Sequence, residues 1–569
     1  MNQKWKITVE EGLYLLAIIL AAGIRFVSLG KFPLSESEAS LAYQALEISR
    51  GGDVTQIAPQ PAYLVFTSAL FFVFQAGDFL ARFWPALLGT ILTIAPYGFR
   101  QILGQKTAVI LAFLIALDPG LVAHSRQADG STWALAFTLF SFAALLRHKP
   151  VLAGICFGLA LLGGPEFWMG LVSILLALGL YRFIFSSEGS QGDFFRETVQ
   201  PQWKLFLVWT GGAFLVGGSA FLILPQGLTA ASESVVEFIR GWGRASEVPI
   251  SHLLLALVVY QPLTFLFALV KGVRQGFKPE PLDRFLTVWW LSALVVAIIY
   301  PSRQVMGLAW ALVPMLALAG RQLGEVLTLK TAYRHLGMIL AGVTMVLITF
   351  VWLNSISFFN PLRGNVDTQL RIIGIGAAFL LLLASALLIG WGWSLKTAGT
   401  GLVWGVTVVL VIYGISAAWS AGSLGNYPEN QLWRNTPAIV QEDLLVQTIE
   451  DISEWNTGTQ TGLDVVVVNR DIASVRWALR NLTSVTYANS LPSQLTPSMI
   501  VTADQPTVGL PAPYRGQDFI WEKRPSWSLM LTQEWLRWAV FKSAPAEDHT
   551  LILWVREDRF PGSDSSNQD

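Results

Sequence analysis

The chain has 569 residues, of which 53% are hydrophobic and only 13% charged, against roughly 25% charged in an ordinary soluble domain. So few charges cannot cover the surface of a soluble protein this long, and a net charge of zero removes the electrostatic case for nucleic acid as a partner. The single cysteine, Cys156, excludes an intrachain disulfide and a thiolate metal cluster.

Charge is unevenly spread. Residues 11–420 hold long apolar runs, whereas 425–569 read like an ordinary globular sequence. The first run follows Lys4-Trp5-Lys6 with no small-residue cleavage site behind it, so it reads as a transmembrane helix rather than a signal peptide. A helix needs about 20 apolar residues to cross a bilayer. Candidate spans lie near 11–29, 81–99, 107–124, 131–146, 151–164, 167–185, 204–224, 252–270, 286–300, 305–320, 338–357, 372–393 and 401–420, about thirteen in all.

Basic residues orient the spans. Lys4 and Lys6, Arg100 and Lys106, Arg147 to Lys149, Lys271 with Arg274 and Lys278, Arg321 with Lys330 and Arg334, and Lys396 all fall on the cytoplasmic side, provided that 62–76 does not span. That segment is only about 15 residues, below spanning length, and is expected at the outer surface or as a re-entrant helix. The N-terminus is then cytoplasmic and the C-terminus outside, in the plasma membrane of a bacterium, since no organellar signal is present.

The expected organisation is an all-α polytopic membrane domain over 1–420, with juxtamembrane helices in an outer loop at 30–80. A small extracytoplasmic α/β domain follows over 421–561, then a disordered tail at 562–569.

Several polar residues collect on the outer side. In the first loop Leu41, Ala42, Ala45 and Leu46 recur at helical spacing, and Gly51-Gly52 stops the helix. Glu36 and Glu38 open it. Ser35-x-x-Glu38 fits a capping box, and a general base for an acceptor hydroxyl fits the same carboxylates. The next outer loop, His124-Ser125-Arg126-Gln127-Ala128-Asp129, reads either as an interfacial charge pair with a helix cap or as part of a site. Glu166 and Arg303 stand in later outer turns. Arginines supply fixed bidentate donors for phosphate, so the set suits an anionic, lipid-tethered phosphate ester. Asp118 lies inside a span, where a carboxylate is costly; Arg25 is its expected neighbour.

The order of these motifs resembles the GT-C membrane glycosyltransferases, in particular the protein O-mannosyltransferase and aminoarabinose-transferase-like group. Ser37-Glu38-Ala39 occupies the slot of that group's Asp-Glu-Ala, and Pro61-Ala62-Tyr63 follows as its Pro-aromatic segment. Then come Arg82-Phe83-Trp84-Pro85-Ala86-Leu87-Leu88-Gly89, the Ser125 to Asp129 loop, and Arg303 before Pro314. The resemblance covers roughly residues 11–330 and implies a GT-C fold and transfer of a sugar from a polyprenyl-phosphate donor.

It implies Glu38, Glu36 and Asp129 as catalytic carboxylates, and Arg126, Arg303, Glu166, Tyr63 and His124 as substrate or phosphate ligands. Asp129 and Glu166 would orient the sugar or a divalent cation; no metal ligand set is defined. Ser37 departs from the group's aspartate, which puts the identity of the base in question. The partners implied are the lipid-linked donor, the bilayer, and a glycan, lipid or protein acceptor. A lipid-linked glycan flippase and an inactive scaffold are the alternatives.

In the C-terminal region an amphipathic helix is expected over 436–455, then strands at 463–469, 484–487, 499–502 and 551–555 and a helix over 473–482. No catalytic signature occurs there; a binding, docking or stabilising role is expected.

Overall fold

In a computed structural model of the protein the described residues are 8–52, 57–185, 202–246, 248–274, 280–358, 365–425, 428–434, 436–490, 496–503 and 512–560. Lys4, Lys6, Lys278 and the tail 562–569 lie outside them. The described residues up to Ala421 are mainly helical, and each expected span coincides with a helix or a broken run of helices. Six described helices are long and apolar enough to cross a membrane, or up to eight if each of two bent pairs is one span. Shorter apolar helices, such as Ser131–Leu146 and Trp203–Gly218, coincide with others of the expected spans but are below that length. The protein is a multi-pass membrane protein.

The helix Val305–Leu327 forms the centre, with 89% of its spanning window buried. Helices Gln105–Leu117, Pro262–Arg274 and Pro281–Ile299 pack against it. The helix Gln369–Gly392 has only 6% of its window buried, as suits a surface solvated by lipid tails. The bent pairs are Gln105–Leu117 with Pro119–Ser125, at 56°, and Ile250–Tyr260 with Pro262–Arg274, at 97°. They meet where the Gln261 amide donates to Asp118 Oδ1 at 3.0 Å. Asp118 also caps the second half-helix by accepting the Leu121 N–H at 2.8 Å. Arg25 forms no direct pair with it; its guanidinium donates to Ser125 Oγ and to the carbonyls of Ala116 and Ile115.

The segment expected at the outer surface or as a re-entrant helix, 62–76, is the helix Pro61–Val73. It packs on Glu36–Ser49, the helix opened by the Ser35–Glu38 capping box.

The C-terminal domain is a six-stranded sheet, β1 (Ala438–Ile439), β2 (Val465–Val468), β3 (Val485–Ala488), β4 (Met499–Ala503), β5 (Tyr514–Pro525) and β6 (Ala546–Arg556), in the order β1-β5-β6-β4-β2-β3. The strands β2, β3 and β4 are parallel, while β6 runs antiparallel to β4 and β5. The helix expected over 436–455 begins at Glu442 instead. Residues 438 and 439 pair with Lys523 and Glu522 of β5, and that edge pairing overrides the helical spacing of Ile439.

Candidate functional site

Glu36 and Glu38 sit two residues apart in sequence but serve different partners. Glu38 is buried. Its Oε2 accepts the N–H and hydroxyl of Ser35 at 3.1 and 2.9 Å, which closes the capping box. Arg82 donates to both carboxylate oxygens, from Nε at 2.8 Å and Nη2 at 2.9 Å. The Ala128 N–H adds a bond to Oε1 at 3.0 Å. Burial pushes the Glu38 carboxyl up, but the Arg82 charge and hydrogen bonds, the Arg434 charge and the Ala128 N–H outweigh it and hold it at about 2. A carboxylate so held is a weak proton acceptor near neutral pH.

Glu36 reaches out of the membrane domain. Its two oxygens accept the N–H groups of Ala473 and Ser474 at 2.7 and 3.0 Å, the first turn of the helix Ala473–Ala478. A carboxylate there satisfies orphan N–H groups and the positive end of the helix. Nearby, Trp477 Nε1 donates to Asp78 Oδ1 at 2.8 Å. The C-terminal domain is thus fastened to the 30–80 loop through the carboxylate next to the Asp-Glu-Ala slot.

Asp129 has the opposite environment to Glu38. It stands between Arg126 and the helix Ser131–Leu146, with Oδ1 accepting the Ser131 N–H at 3.0 Å and the Ser131 hydroxyl. Burial raises its carboxyl to about 7, against the pull of Ser131 and with a further push from the Glu38 charge. It nonetheless keeps part of its surface exposed. Glu166, on the first turn of Pro165–Ile184, is also partly exposed and within electrostatic range of Asp129. The neighbouring Gly130 N–H is held by Gln60 Oε1 at 2.8 Å. That bond ties the Asp129 loop to the start of Pro61–Val73.

Arg126 serves the backbone. Its Nη1 donates to the carbonyls of Ile24, Arg25 and Val27 at 3.0, 2.8 and 2.9 Å, and Nη2 to Ser28 at 3.3 Å. The carbonyls of Ile24 and Arg25 belong to the last turn of the helix Val9–Phe26, where the helix leaves its carbonyls without intrahelical partners. Arg303 donates from Nε to the Val248 carbonyl at 3.1 Å, and no hydrogen bond among the described residues joins it to Asp129 or Glu166. The Tyr63 hydroxyl donates to the Ala81 carbonyl at 2.8 Å within a buried setting. His124 is buried, and its Nδ1 has no hydrogen-bond partner among the described residues.

Glu38, Asp129, Glu166 and Arg126 therefore share one neighbourhood. Two arginines that the sequence did not single out as ligands join them: Arg82, paired with Glu38, and Arg434, whose charge acts on Glu38 and Arg126. Arg434 follows a tryptophan in a stretch without a motif, so only its being a cation soon after the last span marked it. Among the described residues no three His, Cys, Asp or Glu side chains converge as a metal site; a divalent cation here would have the carboxylates of Asp129 and Glu166.

No family model and no curated protein matches the sequence. The fold does match solved structures. ArnT from Cupriavidus metallidurans bound to undecaprenyl phosphate superposes with a TM-score of 0.53 at 14% identity, covering 95% of this chain and 98% of that one. The apo form of that protein gives 0.52 at 16% identity, covering 96% and 98%. The chain carries the GT-C fold. The Archaeoglobus fulgidus oligosaccharyltransferase is a weaker likeness, with a TM-score of 0.47 at 12% identity over 87% of this chain and 65% of that one. In this chain the carboxylate beside the Asp-Glu-Ala slot, Glu36, fastens the C-terminal domain, and Glu38 within the slot pairs with Arg82.

Proposed function

We propose that the protein transfers a sugar from a polyprenyl-phosphate donor to an acceptor hydroxyl on the outer face of a bacterial plasma membrane, through a bundle of about thirteen spans with the N-terminus inside. Asp129 is the general base. It takes the proton of the acceptor hydroxyl while that oxygen attacks the anomeric carbon. The bond from that carbon to the phosphate oxygen breaks, the configuration inverts, and polyprenyl phosphate leaves. Glu166 orients the sugar, and Arg303 and His124 line the donor path. Glu36 and Glu38 hold the site together instead of acting on the proton.

The observation that carries this reading is the carboxyl of Asp129, raised to about 7, still partly exposed, and beside Arg126 and Glu166. A base works best with its pKa near the working pH. The test is transfer of radiolabelled sugar from polyprenyl-phosphate donors by purified full-length protein. Wild type is expected to transfer and Asp129→Asn not to; equal transfer by both removes Asp129 from the mechanism.

A second reading, movement of lipid-linked glycan across the bilayer, draws on the two bent helix pairs that meet at Asp118 and Gln261, since broken helices at membrane depth are frequent in transporters. Reconstituted vesicles that scramble labelled lipid-linked glycan without consuming it would favour that reading.

A further inference from the structure

The stretch Gln431 to Arg434 follows the helix Leu395–Ala421 and turns back into the membrane domain. Trp433 is 1% exposed. Its ring lies over Gly120, where a Cβ would meet Trp433 Cη2 at 2.7 Å and Leu312 Cδ1 at 2.6 Å, so a residue without a side chain is needed there. The Tyr260 hydroxyl donates to Gln431 Oε1 at 2.9 Å and accepts the Leu432 N–H at 3.3 Å. The Gln127 amide donates to the Trp433 carbonyl at 3.1 Å. Gln127 is two residues before Asp129. The connector is therefore pinned against the Asp129 loop, and the next side chain to leave it is Arg434.

Three guanidiniums act on the Glu38 neighbourhood. Arg82 commits its donors to Glu38 and to the carbonyls of Leu29, Phe32 and Pro33. Arg126 commits Nη1 and Nη2 to the end of the first helix. Arg434 is partly exposed and has no side-chain hydrogen bond or ion pair among the described residues, although the charges of Glu38, Arg82 and Glu429 reach it. Arg126 and Arg434 also repel each other. With the charge of Glu38 already matched by Arg82, positive charge is left over among buried and half-buried groups, where it favours an anion strongly.

We propose that Arg434 binds the phosphate ester of the lipid-linked donor, so that the connector to the C-terminal domain is part of the donor site. This rests on the donor reading above and adds to it a residue from outside the motif-bearing region. A guanidinium with its donors uncommitted offers two parallel hydrogen bonds to a phosphate. The group recognised is a phosphate ester, whether on a polyprenol or as a free anion, and the experiment separates the two.

Full-length protein in nanodiscs is titrated with undecaprenyl phosphate, with undecaprenol and with inorganic phosphate, as wild type, Arg434→Gln and Arg434→Lys. Wild type should prefer undecaprenyl phosphate over undecaprenol, and Arg434→Gln should lose about tenfold or more of its affinity for the phosphate lipid with undecaprenol binding unchanged. Arg434→Lys should keep part of the preference, because the charge remains and the fork is lost. An unchanged thermal midpoint in Arg434→Gln confirms that the connector stays seated through Trp433.

If Arg434→Gln prefers the phosphate lipid as strongly as wild type, the role of Arg434 is overturned while the donor reading stands. If wild type itself shows no preference, both are overturned. If inorganic phosphate stabilises wild type but not Arg434→Gln, and neither lipid is preferred, the anion is soluble and the lipid assignment is overturned.

Discussion

Glu38 and Asp129 are two carboxylates in one neighbourhood with opposite environments. Glu38 collects an arginine, two serine donors and a backbone N–H, and is held at about 2. Asp129 collects only the donors of Ser131 and is raised to about 7. Burial acts on both in the same direction; the difference is made by hydrogen-bond donors and by the guanidiniums of Arg82 and Arg434. The carboxylate that stabilises the fold most is thereby the poorer base, and the one the fold stabilises least is the better one.

The largest expected effect separates the two by activity. Asp129→Asn should lower sugar transfer by about 10²–10⁴-fold, the usual worth of a general base. It should not lower the thermal midpoint, because the amide oxygen still accepts from Ser131 and a costly charge is gone. A lowered midpoint with retained transfer would reverse the comparison.

Glu38→Gln should do the opposite. It leaves the Arg82 guanidinium buried without its counter-charge, at a cost of about 3–5 kcal/mol. The midpoint should fall clearly, and Arg82→Gln in the same chain should restore part of it. Strictly additive losses in that double variant would mean that the pair is not coupled.

The pH dependence sharpens the contrast further. Glu38 has its ordinary value at 4.5 and about 2 in the fold, so its stabilisation is fully present above pH 4.5 and is lost as pH falls toward 2. Asp129 moves the other way, from 3.8 to about 7. Its ionised form weakens the fold above pH 7, and that penalty is relieved as pH falls. Transfer should therefore rise through pH 7 while stability does not, and a rate profile flat between pH 6 and pH 8 would exclude Asp129 as the titrating base.

The smallest effect is expected at Glu36. Replacing it by Gln weakens the cap on Ala473–Ala478 by about 1 kcal/mol, which limited proteolysis should register as faster cleavage in the C-terminal domain with little change in transfer.

The membrane class and the helix positions were legible because apolar runs record span length directly; Ser131–Leu146 has the bounds expected for it. The capping box at Ser35–Glu38 was legible because it is a local pattern. The partner of Glu36 was not, since it lies 437 residues along the chain, and no local spacing encodes such a contact. Arg434 was missed for the same reason. The strand β5, the longest in the sheet at 12 residues, also escaped. Its sequence is mostly polar and exposed, and only Phe519 and Trp521 turn into the core, too few for a clear alternation. The motif order that resembles GT-C proteins anticipated the fold, but it did not distinguish a carboxylate held by arginine from one left near neutrality.

The fastening of Glu36 to Ala473 also bears on how the protein is made. Synthesis runs from the N-terminus, so the helix Glu36–Ser49 exists long before its partner leaves the ribosome. Until then the surface around Phe71, against which Trp477 packs with ring centroids 5.8 Å apart, is uncovered and apolar. A chain that stops early keeps that patch bare, the kind of surface that chaperones and proteases recognise in unfinished proteins. Completion of the last domain conceals it, so the same contact that holds the two domains together marks a finished copy.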